Sequence, residues 1–133
     1  MRTMIHAALI AGLVSAPVMP LAAADTAKGE DMLAKLTAGH VAGKPVDCIN
    51  LSFSRNDSHT IPGLGMAYRQ GTTWYVSRFQ DGCDQLRNGV MVVTKLHSSQ
   101  LCRGDIAELR MAGPNIPMGS CIFGAFTPYT KPK

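Results

Sequence analysis

The sequence predicts a mainly β protein: a small antiparallel sheet or partly closed barrel of about six strands, with one N-terminal helix behind a cleaved signal peptide. Three observations carry this expectation. Apolar and polar residues alternate from Cys48 to Ser54, the period of a strand with one buried face. Turn-forming pairs recur at short intervals, at Gln70-Gly71, Asp81-Gly82, Asn88-Gly89 and Arg103-Gly104. An apolar, alanine-ended N-terminus and four cysteines suit a small exported domain.

Arg2 precedes an uncharged, mostly apolar stretch from Met4 to Ala24 that ends Leu21-Ala22-Ala23-Ala24-Asp25. Ala22 and Ala24 offer the small side chains that signal peptidase admits, and Pro17 and Pro20 interrupt the apolar helix before them. Cleavage is expected between Ala24 and Asp25. An uncleaved anchor is the competing reading, because about 20 apolar residues span a bilayer, but the prolines and the alanine triplet oppose it. A lipid anchor would require a cysteine at the cleavage point, whereas the first is Cys48. The expected organisation is a leader over 1–24, a short helix and linker over 25–45, and a disulfide-stabilised β domain over 46–133. The destination is the periplasm or the medium, with no membrane anchor after cleavage.

Thr26 to Ala38 reads as a short amphipathic helix. Thr26 can cap it, Met32, Leu33 and Leu36 form its apolar stripe, and Gly39 stops it. From Cys48, Ile49, Leu51 and Phe53 alternate with Asn50, Ser52 and Ser54, and Arg55-Asn56-Asp57-Ser58 then turns the chain. Further strands are expected at His59–Ile61, Gly65–Arg69, Thr73–Phe79, Val90–Leu96, Ile106–Met111 and Cys121–Phe126.

All four cysteines, Cys48, Cys83, Cys102 and Cys121, fall after the leader, and an even count in an exported domain implies disulfides. Their spacings of 35, 19 and 19 residues lack the close pairs of zinc sites, thioredoxin-like redox motifs and haem attachment. If the strands simply run up and down, Cys48 and Cys102 lie near one end and Cys83 and Cys121 near the other. That favours these two pairs over the other two connectivities, which a crossed connection would allow.

Composition bounds function without naming it. Of 133 residues, 46% are hydrophobic and 17% charged, which is globular rather than disordered. The formal net charge is +4, or one less without Arg2, and the basic residues never cluster, so no nucleic acid partner is expected. There is no H-E-x-x-H, no phosphate-binding glycine loop, no G-x-S-x-G elbow and no EF-hand loop, and no cofactor is expected.

Several weaker candidates remain. His40, His59 and His97, with Asp57 or the thioethers of Met91, Met111 and Met118, contain the donor types of a soft metal site, but without ligand spacing. His97 beside Ser98 and Ser99, with Asp105 as orienter, invites a hydrolase reading, but triad members converge from distant segments, and a serine-rich turn is the preferred reading. Asp81, Asp84, Asp105 and Glu108 include possible acid and base pairs for glycan hydrolysis, against simple turn roles. Trp74 and Tyr75 with Arg69 and Arg78 suggest a stacking surface with basic rims, although alternation buries one of the aromatic pair. The proline-stiffened segment Met111–Gly119, with Ile116 and Met118 near its tip, is a candidate binding loop. Asn50-Leu51-Ser52 and Asn56-Asp57-Ser58 fit the glycosylation pattern and are assigned no role.

Cys48-Ile49-Asn50, Gly82-Cys83 with Leu86, Leu101-Cys102-Arg103-Gly104-Asp105, and Ser120-Cys121 leading to Gly124-Ala125-Phe126-Thr127-Pro128 together resemble a family of short exported bacterial proteins classed as a domain of unknown function. The likeness runs from Asp47 to Pro128 and departs at Ser58–Gly65, where Ile61-Pro62-Gly63-Leu64-Gly65 replaces an acidic strand start. It implies an exported, disulfide-containing domain and lends no catalytic residues. The expected function is a non-catalytic binding or structural module of the bacterial envelope, with an envelope protein or glycan as partner. The alternatives are an inhibitor of an envelope hydrolase or protease, and a small glycan-acting enzyme.

Overall fold

The computed structural model describes residue 12 and residues 14–53 and 57–133. The start of the expected leader and Arg55 and Asn56 of the expected turn lie outside the described residues. Among the described residues, one α-helix, α1 (Leu21–Leu36), precedes nine strands: β1 (Val41–Ala42), β2 (Cys48–Asn50), β3 (Ser58–Ile61), β4 (Gly65–Gln70), β5 (Thr73–Gln80), β6 (Val90–Thr94), β7 (Gln100–Cys102), β8 (Ile106–Met111) and β9 (Pro117–Thr130). Six of them form a nearly closed antiparallel barrel in the order β3-β4-β5-β9-β8-β6, with β1 added at the far end of β9. β2 and β7 make a separate two-stranded ladder. The predicted fold class therefore stands.

The strands do not follow a plain meander. β9, last in the chain, lies between β5 and β8; its C-terminal half pairs with β5 and its N-terminal half with β8. Two irregularities let one strand serve both. The register slips by one residue between the Ser77↔Phe126 and Phe79↔Phe123 pairs, and again between Leu109↔Gly119 and Arg110↔Pro117; each places one extra residue on β9, a β-bulge. Phe123 and Phe126 are three apart and would face opposite sides of a regular strand. The bulge turns both inward, where each is fully buried. At that bend Gly65 and Gly124 press against the Ser77 and Arg78 carbonyls, where a Cβ would collide. The buried Ser77 hydroxyl donates to the Gly124 carbonyl at 2.9 Å.

The barrel interior is one apolar cluster that includes Met66, Tyr68, Phe79, Leu86, Leu109, Phe123 and Phe126. The β2·β7 ladder adds Ile49 and Leu101 to it and so plugs the barrel from the side. Burial pushes the Tyr68 phenol well above its ordinary value. A second cluster lies on the outer face of β3-β4-β5, where Leu33 and Leu36 of α1 cover Ile61, Leu64, Ala67, Trp74 and Val76. Gly29 makes this docking possible: a Cβ there would run into the Pro62 carbonyl of the β3–β4 turn. Glu30 then clamps the helix to the sheet, accepting two hydrogen bonds from Arg78 at 2.7 and 2.9 Å.

Several expectations are corrected here. The helix begins at Leu21, across the expected cleavage point, and ends at Leu36 rather than Ala38. Thr26 is no cap; its hydroxyl donates back to the Ala22 carbonyl inside the helix at 3.0 Å. The strand expected over Cys48–Ser54 stops at Asn50 and continues as a 3₁₀ turn, Leu51–Phe53, because the Asn50 side chain accepts from the Ser52 N–H at 2.9 Å and bends the chain. Within the expected short helix and linker over 25–45, Val41–Ala42 form β1, which joins the sheet. β7 was not anticipated, since three residues are too few to establish a period.

Candidate functional site

The cysteines form two disulfides, Cys48–Cys102 and Cys83–Cys121, and none of the four is free. Cys48 and Cys102 face each other in the β2·β7 ladder. Hydrogen bonds from Arg103 to Asp47 and from Leu51 to Ser99 mark those as the bonded pairs, so by alternation Cys48 and Cys102 occupy a non-bonded site, where side chains approach most closely. The up-and-down premise for this pairing fails, because β9 crosses over; direct facing in a ladder and a loop-to-strand link bring the partners together instead. Cys83, in the loop after β5, reaches Cys121 on β9 with Cα atoms 6.0 Å apart.

The Leu101-Cys102-Arg103-Gly104-Asp105 string is structural throughout. Leu101 is fully buried, and the Asp105 N–H closes a turn onto the Cys102 carbonyl at 3.1 Å. Gly104 takes φ +92° in it, which favours glycine at that position. The Asp105 carboxylate accepts the Cys102 N–H at 2.7 Å, the donor that a non-bonded ladder position leaves unused. Gly104 and Asp105 also exchange backbone hydrogen bonds with Phe123. Asp105 is thus spoken for, and this weighs against its role as acid, base or orienter.

An open cleft of about 340 Å³ does bring His97 and Asp105 together, with Lys95 and Glu108. Ser98 is engaged elsewhere: its hydroxyl accepts the Gln100 N–H at 3.2 Å. Glu108 lies 3.2 Å from Lys95 and 3.5 Å from Arg110. The hydrogen bond and charge of Lys95 lead in holding its carboxyl below the ordinary range, so Glu108 is an ionised partner rather than a proton donor at neutral pH. Asp81 and Asp84 line a separate depression beside the Cys83–Cys121 bridge, away from Asp105 and Glu108. Asp81 holds φ +58°, a turn conformation that aspartate tolerates.

The stacking surface does not form as expected. Trp74 and Tyr75 point to opposite faces of β5: Trp74 lies in the layer beneath α1, and Tyr75 packs on the barrel interior. Arg78 is committed to Glu30. Arg69 alone stays with Trp74, its guanidinium 5.9 Å from the ring centre. His59 meets the same ring edge-on at 5.3 Å and lies 3.6 Å from Asp57. His40 lines another cleft, with Arg69, Thr72, Trp74 and Lys131; no expectation had joined these residues, because they come from three distant segments. Among the described residues no three His, Cys, Asp or Glu side chains gather as metal ligands.

The Met111–Gly119 segment is the β8–β9 hairpin, closed by hydrogen bonds of Met111 to the Ile116 carbonyl and of Asn115 to the Met111 carbonyl. Its two apolar candidates diverge. Ile116 is 52% exposed, while Met118 packs against the interior cluster, so only Ile116 is presented outward. Compared with known proteins, the chain matches no family model, no curated protein and no solved structure.

Proposed function

We propose that this small disulfide-stabilised barrel protein is exported, loses residues 1–24 after Ala24, and works at the bacterial envelope as a non-catalytic binding or structural module. The observation that carries the reading is the commitment of all four cysteines to two disulfides, which form and persist in oxidising compartments and are rare in the cytosol. The alanine-ended leader pattern supports it. No helix among the described residues is long and apolar enough to cross a membrane. Large side chains fill the barrel interior, so a partner or envelope glycan has to meet the outer surface.

Expression behind its own leader in a bacterial host tests the proposal. The periplasmic extract should yield a chain beginning at Asp25 whose mass, without reductant, is lower by four hydrogens than that of the thiol form. A full-length chain with free thiols in the cytosol would overturn it. Incubation with purified cell-wall glycan should leave the polymer intact; release of soluble fragments would instead establish the glycan-acting enzyme.

The outward Ile116 favours a second reading, an inhibitor that inserts the β8–β9 tip into an envelope hydrolase or protease. The positive charge of the processed chain argues against a basic lysozyme as the target, and leaves a protease. In this reading Ile116→Asp abolishes inhibition while the melting temperature stays unchanged; equal inhibition by the variant rejects it.

A further inference from the structure

We infer that the cleft formed by His40, Arg69, Thr72 and Lys131 above the edge of Trp74 binds a phosphate group. This goes beyond the envelope reading and does not depend on it. The strand registers build the site. Val41 pairs with Thr130 and Trp74 with Tyr129; continuing those ladders outward sets His40, Lys131 and Thr72 in one row at the end of the sheet. Arg69 faces Trp74 across β4·β5 in the row of Tyr129, two rows in and so on the same face of the sheet. Three distant segments thus bring two permanent cations, one imidazole and one hydroxyl to a cleft of about 220 Å³.

The charges are arranged rather than scattered. Arg69 is held three ways: its Nε donates to the Gly71 carbonyl at 3.1 Å, its Nη1 lies 3.4 Å from Asp57, and its guanidinium sits over the Trp74 ring. A guanidinium fixed in this way loses little freedom when it binds an anion. Asp57 is not among the lining residues; it lies 3.4 Å from Arg69 and 3.6 Å from His59. Lys131 makes no ion pair or hydrogen bond among the described residues, so the cleft keeps an excess of positive charge. Donors arriving from Arg69, Lys131 and Thr72 along separate directions suit a tetrahedral oxyanion with several acceptor oxygens better than a planar carboxylate with two. The volume admits a phosphate and the first atoms of its ester. Free phosphate, a glycan phosphate and a lipid headgroup share this chemistry.

Trp74 is the chain's single tryptophan and reports directly on the cleft. The disulfide-bonded full chain is titrated with inorganic phosphate at an ionic strength held constant with chloride, and the indole emission is followed. A saturable change with phosphate is expected, with none in chloride alone. Lys131→Gln should weaken binding about tenfold, the loss of one charge-assisted hydrogen bond, and Arg69→Gln at least as much. Arg103→Gln, at the exposed turn after β7, should bind as the parent does. Because Arg69 also has polar contacts within the fold and Lys131 makes no ion pair or hydrogen bond among the described residues, the Lys131 variant decides. An unsaturable drift, an equal response to chloride, or equal weakening by Arg103→Gln would overturn the site and leave only general charge screening. Phosphatidylcholine vesicles with and without phosphatidic acid separate the sources. Vesicle binding that needs phosphatidic acid and is displaced by free phosphate assigns the lipid headgroup; saturation by free phosphate without vesicle binding assigns a soluble or glycan phosphate.

Discussion

The barrel interior and the layer under α1 both exclude water, yet they are held by different means. The interior draws its side chains from six barrel strands and the β2·β7 ladder, and two disulfides cross-link the segments around it. The outer layer depends on one helix that contributes Leu33 and Leu36, one glycine contact and one exposed ion pair. Apolar burial is worth about 25 cal/mol per Å² in either place; the number of independent attachments differs. The interior is expected to unfold as a unit with the sheet, and the helix to open first, exposing Trp74.

The largest effect should come from the interior. Phe123 is fully buried and touches both Phe79, edge-on at 4.9 Å, and Phe126. Phe123→Ala should cost about 3–5 kcal/mol, transfer and cavity terms together, read as a lowered urea midpoint. A loss under 1 kcal/mol would mean that the bulged segment of β9 repacks freely. The disulfides come next. Cys48→Ser with Cys102→Ser, and Cys83→Ser with Cys121→Ser, each release a long loop, with sequence separations of 54 and 38 residues, and should each cost about 2–4 kcal/mol. Because the loops differ so little in logarithm, the two double variants should melt within a few degrees of one another. A far lower melting point for the first would show that the β2·β7 plug, and not only the loop constraint, is lost with its bridge.

How much of this was legible follows from the length of each signal. The longer strands β4, β5 and β8 are found within a residue or two, since six or more strand-forming residues bounded by turn signals identify a strand. β1 and β7, two and three residues long, exist only because β9 and β2 hold them, and no local pattern encodes that. β9 was found only over Cys121–Phe126, because its bulges break the alternation that identifies a strand. The cysteine count carried the disulfides. The cleft of His40, Arg69 and Lys131 was invisible for a physical reason: its residues share an end of the sheet only after β1 pairs with β9. Trp74 and Tyr75 were legible as an aromatic pair but not as residents of two different cores, because the helix that claims Trp74 comes from outside the strand.

Gly29→Ala tests the attachment of the helix. In a free helix alanine is favoured over glycine by about 1 kcal/mol, but here the new Cβ meets the Pro62 carbonyl. The contact is with backbone, so the helix has to lift, and the net effect should be a loss of about 1–2 kcal/mol with a red shift of Trp74 emission. A stabilised variant with unchanged emission would mean that α1 does not dock on the β3–β4 turn in solution.

The smallest effect belongs to the clamp, and its pH dependence makes it measurable. The hydrogen bonds from Arg78 hold the Glu30 carboxyl below its ordinary value of 4.5. The unfolded chain therefore takes up this proton before the folded one as pH falls, and the clamp's contribution is complete above the ordinary value and lost as pH drops through the lowered one. Both side chains are about half exposed, which limits the contribution to about 0.2–1 kcal/mol. Glu30→Gln should be less stable than the parent by that amount at pH 7, and the difference should vanish in acid, where the parent's carboxyl is also neutral. Hydrogen exchange in α1 should quicken at neutral pH, with the β5·β9 amides unaffected. A difference that persisted in acid would assign the loss to packing of the side-chain stem, and an equal quickening in β5 and β9 would show that helix and barrel open together.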